Sequence, residues 1–215
     1  MRSRASLGVV AVLLLVAACA TSGGSDGSGG PAAVSVDGAA AGWQGTPVRD
    51  GYPLPQQEFT DTSGSTVVPA ADAADGVTLV FFGYTHCPDI CNVVLANIAS
   101  ALRGADATVR ERTRVLFVST DPARDEPGVV RDYLDRFDPT YEGLVAPVAT
   151  VEQAASDLYV GYERPDGSAG GYRGYEVEHG THTTAFVDGD ATVVWSEDTS
   201  VADLRADLTR LARLA

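Results

Sequence analysis

The sequence predicts an α/β domain: a mixed β-sheet flanked by helices. Three observations carry that expectation. An unbroken apolar run is followed by a helical stripe and then by a second apolar run, the signature of parallel strands buried on both faces. A hairpin pattern follows later, across Asp188-Gly189-Asp190. The chain then closes on an amphipathic helix, so helices occur both between and after the strands.

Val77 to Tyr84 (VTLVFFGY) is β-branched and aromatic throughout, as a central strand should be. Cys87 comes next, and Pro88 stands where a first helical residue tolerates proline, with Asp89 in the same first turn. Cys91, Val94, Leu95, Ile98 and Leu102 share one helical face that Gly104 ends. Arg114 to Thr120 reads as a second buried strand. Pro127 opens a helix with Val130, Tyr133, Leu134 and Phe137 inward. Thr150 and Gln153 form a capping box before a short helix to about Tyr159. Thr184–Val187 and Ala191–Trp195 make the hairpin, and Ser200 with Asp203 caps a last helix whose apolar face holds Val201, Leu204, Leu208, Leu211 and Ala215. An early βαβ unit followed by an antiparallel pair is the thioredoxin-like arrangement.

A chain of 215 residues, 45% hydrophobic and 20% charged, suits one such domain and excludes wholesale disorder. The net charge of −14 argues against nucleic acid and anionic lipid surfaces as partners, since both are polyanions. All 15 basic residues are Arg, which rules out lysine Schiff-base chemistry. At the N-terminus, Arg2 and Arg4 precede an apolar stretch, Leu7 to Val16, that is too short to span a bilayer as a settled helix. Val16-Ala17-Ala18-Cys19 resembles a bacterial lipobox, which implies a signal peptide over 1–18, cleavage before Cys19 and a lipid on that sulfur. Thr21 to Gly30 (TSGGSDGSGG) is a flexible tether, and residues 19–45 together read as lipidated Cys plus linker, with the folded domain over 46–215. The expected location is extracytoplasmic, anchored to the cell membrane.

With Cys19 assigned to the lipid, Cys87 and Cys91 remain as a pair. So short a loop gains little stability from a disulfide, so the pair is chemical rather than structural. It stands where strand passes into helix. Backbone N–H groups and the helix dipole there favour thiolate, the form that exchanges disulfides and binds soft metals. Residues four apart on a helix lie one above the other, so both sulfurs can reach one ion or each other. Redox and metal chemistry both remain open on these residues. Soft thiolates suit copper, and zinc accepts thiolates too.

Phe82-Gly83-Tyr84-Thr85-His86-Cys87-Pro88-Asp89-Ile90-Cys91 closely resembles the active-site segment of the Sco/SenC family, thioredoxin-like copper chaperones of cytochrome c oxidase assembly. Val118 to Pro127 (VSTDPARDEP) resembles a second family block, and Tyr175-Glu176-Val177-Glu178-His179 a third. The likeness runs from about Gln56 to Leu214, in order. It implies a copper ion held by Cys87, Cys91 and His179, and a metallochaperone that serves the copper A site of cytochrome c oxidase. The implied partners are the oxidase subunit carrying that site and a copper donor or thiol redox protein. The alternative is a thiol-disulfide oxidoreductase that reduces the oxidase's copper-ligand cysteines, with Cys87 attacking and Cys91 resolving.

His182, three residues beyond His179, is a local competitor for the metal, whereas His86 at a strand end should point away from the Cys87 sulfur. Asp121 and Asp125 follow the second strand's C-terminal end, where sites gather in open α/β sheets; a simple turn with Arg124 pairing outward is the plainer reading. Asn92 stands where the family often has proline. Asp166 to Gly174 is Gly-rich and predicts a mobile loop that lets His179 swing in when metal arrives.

Overall fold

The structure, a computed structural model, describes residues 42–73, 75–163 and 177–215. Residues 1–18, Cys19, the tether and the Asp166–Gly174 segment lie outside the described residues. In chain order the elements are β1 (Thr46–Pro47), β2 (Phe59–Asp61), β3 (Thr66–Val67), β4 (Val77–Gly83), α1 (Ile90–Arg103), α2 (Ala107–Glu111) and β5 (Thr113–Ser119). Then follow α3 (Pro127–Leu134), β6 (Glu142–Val145), α4 (Val148–Asp157), β7 (Thr183–Val187), β8 (Asp190–Trp195) and α5 (Val201–Leu211).

The strands form one mixed sheet in the order β1-β8-β7-β4-β5-β6-β2-β3. β4, β5 and β6 run parallel, and β7 lies antiparallel to β4 on its other side. Every residue of β4 is buried because helices cover both faces. Leu79 and Phe81 point with Phe117 toward α1, α3 and α5. Val80 and Phe82 point with Leu116 and Val118 toward α4. This is the α/β, thioredoxin-like mixed sheet that the sequence predicted, and the hairpin turns at Asp188 and Gly189, both at positive φ (50° and 91°) as a tight two-residue turn needs.

Two local expectations are corrected. Pro88 does not open a helix: α1 starts at Ile90 with Asp89 as its N-cap, at φ −139° and ψ −87°. The chain first turns back on itself, Cys87 N–H donating to the Tyr84 carbonyl, and this holds Pro88 outside the helix. Nor do Thr150 and Gln153 cap α4. The carbonyl of Pro147 accepts from Thr150 and Val151 N–H, so the helix begins at Val148 and Thr150 lies inside it. At the other end of the domain, Asp207 is fully buried and accepts N–H bonds from Gln44 (3.0 Å), Gly45 (2.9 Å) and the Trp195 indole (2.8 Å). Trp43 to Gly45 is thereby bound to the domain ahead of residue 46.

Candidate metal centre

Sheet topology explains why residues distant in sequence meet. Cys87 and Cys91 follow the C-terminal end of β4, and His179 precedes the N-terminal end of β7. Because the two strands pair antiparallel, with Phe81 opposite Thr183, those ends coincide, and the segments that continue from them meet at one end of the sheet. Gly83 makes room at the junction. A Cβ there would stand 3.1 Å from Cys91 Sγ and 2.8 Å from the Phe117 ring, too close for either to remain in place.

The sulfurs differ in character. Cys91 is fully buried in the first turn of α1, and Cys87 is nearly so. Asp89 provides no side-chain cap. Instead the Cys91 backbone N–H donates to Cys87 Sγ at 3.4 Å, so a sulfur takes up one of the free N–H groups at the helix start. The Cys87 thiol is lowered to about 4, first by the hydrogen bond from Cys91 and then by His179 and the N–H groups of Asp89 and Cys91, against an opposing effect of burial. Cys91 is pushed up, because its proton is shared with the Cys87 sulfur and because it is buried. The reduced pair is thus one thiolate and one thiol.

His179 Nε2 stands 3.8 Å from Cys91 Sγ. Its Nδ1 is 2.9 Å from the Gly180 carbonyl. A carbonyl can only accept, so Nδ1 carries a proton, and Nε2 is the nitrogen that faces the sulfurs and can bind a metal once it is unprotonated. The far nitrogen is anchored in the way metal-binding histidines usually are. Tyr84 and Phe81 meet the ring edge-on at 5.8 and 6.4 Å. The histidine strand is paired to residues 161–163: Tyr162 bridges His179, Glu163 N–H donates to Glu178 O (2.9 Å), and Gly180 N–H to Gly161 O (2.6 Å). The ring lies beside the Cys91 sulfur.

Two soft sulfurs and one borderline nitrogen facing them form a donor set suited to copper. Among the described residues no three His, Cys, Asp or Glu stand close enough together to hold a metal ion, so these donors would have to draw closer around one. His182 is engaged elsewhere: its ring bonds the Leu158 backbone, and burial pushes its pKa down. His86 is half exposed, with Nδ1 3.0 Å from Thr85 Oγ1. Asp121 and Asp125 are both buried, and Asp121 pairs with Arg124. Thr85, Tyr162 and the Gly180 carbonyl were not singled out from sequence, since their roles depend on loop closure that no spacing encodes.

Several known proteins resemble this chain. Apo Sco1 from Thermus thermophilus superposes with a TM-score of 0.71 at 31% identity, covering 81% of this chain and 99% of that one. Copper-bound ScoI from Bradyrhizobium japonicum gives 0.62 at 29% identity, covering 78% and 98%. Mitochondrial SCO2 of Saccharomyces cerevisiae is 33% identical over 88 residues, 41% of this chain and 29% of that protein. The chain spans about a third of the length of the first curated relatives it matches. The SCO1/SenC family profile matches residues 54–213, which contain the whole described site: this chain belongs to the SCO1/SenC family.

Proposed function

We propose that the chain is an extracytoplasmic copper carrier that takes one copper ion as cargo on Cys87, Cys91 and His179 and delivers it to the copper A site of cytochrome c oxidase. The observation that carries this reading is the His179 ring, whose Nε2 stands 3.8 Å from Cys91 Sγ while Nδ1 is anchored on the Gly180 carbonyl. Disulfide exchange does not require such a nitrogen, whereas three-donor copper binding does. The Sco family is one of cytochrome c oxidase assembly proteins, and membership supports the oxidase as recipient. A three-donor site leaves room for an incoming ligand, so copper passes by exchange and is never free. Loading requires reduced sulfurs, which ties binding to redox state. Residues 1–18 are read as signal peptide, Cys19 as the lipidated residue, and the stretch from there to about residue 42 as tether. The working domain is read as beginning at Trp43 rather than at residue 46, because Asp207 and Arg210 bind residues 43–45 to the fold. No helix among the described residues is long and apolar enough to cross a membrane.

The thiolate–thiol asymmetry favours a second activity on the same residues. The Cys87 thiolate attacks one sulfur of a target disulfide, and the other target sulfur leaves as thiolate. Cys91, once deprotonated, attacks Cys87 in the mixed disulfide, breaks its bond to the target, releases that target sulfur as a second thiolate and closes the Cys87–Cys91 disulfide. The target gains two electrons and the pair loses two. His179→Ala separates the roles: copper(I) affinity, measured by competition with a chromophoric chelator, should fall steeply while disulfide reduction persists. Unchanged copper affinity in that variant contradicts the ligand assignment.

A further inference from the structure

Asp125 lies near the end of the β5–α3 loop, two residues before α3, and is 1% exposed, and its hydrogen bonds go to Thr85 and Ser119 rather than to the sulfurs. Its carboxylate is gripped from two sides. Thr85 donates its backbone N–H to Oδ2 (3.0 Å) and its hydroxyl to Oδ1 (2.6 Å), and the Ser119 hydroxyl donates to Oδ2 (2.7 Å). Ser119 Oγ in turn accepts the Asp121 N–H at 3.1 Å. The Thr85 hydroxyl has one proton and gives it to Asp125, so toward His86 Nδ1 it can only accept. Thr85 stands two residues before Cys87, in the turn that presents that sulfur to the start of α1.

The same loop holds the histidine arm. Thr120 donates N–H and Oγ1 to the Gly83 carbonyl (2.8 and 3.1 Å), which ties it to the end of β4. The Thr120 carbonyl accepts the Tyr162 hydroxyl at 3.1 Å, and Tyr162 bridges His179. Residues 119–125 therefore underlie both arms of the site, with Asp125 bonding the thiol arm and Thr120 the histidine arm.

We infer that Asp125 is a positioning residue for copper capture: through Thr85 it fixes the turn that carries Cys87 close to Cys91 and His179, where one ion can draw all three together. The inference rests on the copper reading for its purpose, but the clamp itself can be tested without metal. Asp125→Asn keeps the volume but replaces one acceptor oxygen by an NH2 group and removes the charge, so at least one of the three bonds must be lost or reversed and the rest are weakened. Thr85→Val breaks the clamp from the other side. Asp207→Asn serves as a control, since it disrupts another buried carboxylate that accepts several N–H bonds, at the Trp43–Gly45 segment.

The experiment compares wild type, Asp125→Asn, Thr85→Val, their double variant and Asp207→Asn by copper(I) competition, by the thiolate-to-copper charge-transfer absorption of the copper(II) form, and by amide hydrogen exchange of the metal-free reduced protein. Both clamp variants should lose about 10- to 100-fold in copper affinity, the usual effect of removing support behind metal ligands. They should also shift the charge-transfer band and speed exchange at residues 85–91. The double variant should lose little more than either single one, because both break the same contact. Asp207→Asn should lower stability with copper affinity and absorption unchanged. Wild-type protein that binds no copper, with exchange at 85–91 still accelerated in the clamp variants, sinks the copper reading and leaves the clamp standing. Exchange at 85–91 unchanged in both clamp variants, copper affinity unaltered in both, or losses that simply add in the double variant would overturn the inference.

Discussion

Cys87 and Cys91 are four residues apart, yet the helix start treats them oppositely. The first accepts N–H bonds and the Cys91 proton, and the second is buried against it, so one sulfur is held ionised and the other protonated. A pH dependence follows. The Cys87 thiolate, not its thiol, reacts with iodoacetamide. An ordinary thiol loses reactivity steadily below its usual range, whereas Cys87 is lowered to about 4, so its alkylation rate should stay flat from pH 8 to about pH 5 and fall only near pH 4. Cys91→Ala removes the largest stabilising bond and should move that fall to higher pH. A wild-type profile already falling by pH 7 would contradict the assignment. The linkage has a matching sign: a thiol lowered in the folded state and ordinary in the unfolded one contributes stability at alkaline pH that is lost as pH falls toward 4. The sulfurs were legible in the sequence because strand-end position and helix spacing are local. His179 was not legible that way; it came forward only through a family resemblance, and the β4–β7 register now gives its convergence a physical cause.

At the scale of elements, the long periodic segments were readable and the short ones were not. β4, β5, α1, α3, the hairpin and α5 emerge from apolar runs and stripes of seven or more residues or from a strong turn signal. β1 and β3 have two residues each and β2 three. They carry no period and exist because neighbouring strands offer partners. β6 was missed for the same reason: Gly143 interrupts its apolar pattern, and a Cβ there would collide with Val130 and Thr62. The cap of α5 was legible and is realised, Ser200 Oγ accepting the Asp203 N–H at 3.2 Å. Ser200→Ala should cost about 1 kcal/mol in denaturant unfolding, the usual worth of such a cap. Asp207 has a larger task, holding Trp43–Gly45 and Trp195 from within the fold. Asp207→Ala leaves the buried Trp195 indole N–H unpaired, at about 1–3 kcal/mol, and also frees the part-buried N–H groups of Gln44 and Gly45, so it should shift the unfolding midpoint beyond the Ser200→Ala variant.

Across the whole molecule, one end of the sheet gathers the chemistry, since the C-terminal ends of β4 and β5 and the N-terminal end of β7 all open there. The acidic chain, at −14, is unsuited to cling to anionic lipid by charge, so attachment to a membrane would fall to the lipid on Cys19. Growth with labelled palmitate should mark the wild-type chain and leave Cys19→Ala unmarked; equal labelling would dismiss the anchor. The ligand set itself is tested most directly by X-ray absorption at the copper edge of the anaerobically loaded copper(I) protein. Two sulfurs and one imidazole nitrogen in the inner shell, with the nitrogen lost in His179→Ala, is the result expected here. A shell with one sulfur or none, or one that His179→Ala leaves unchanged, would contradict it.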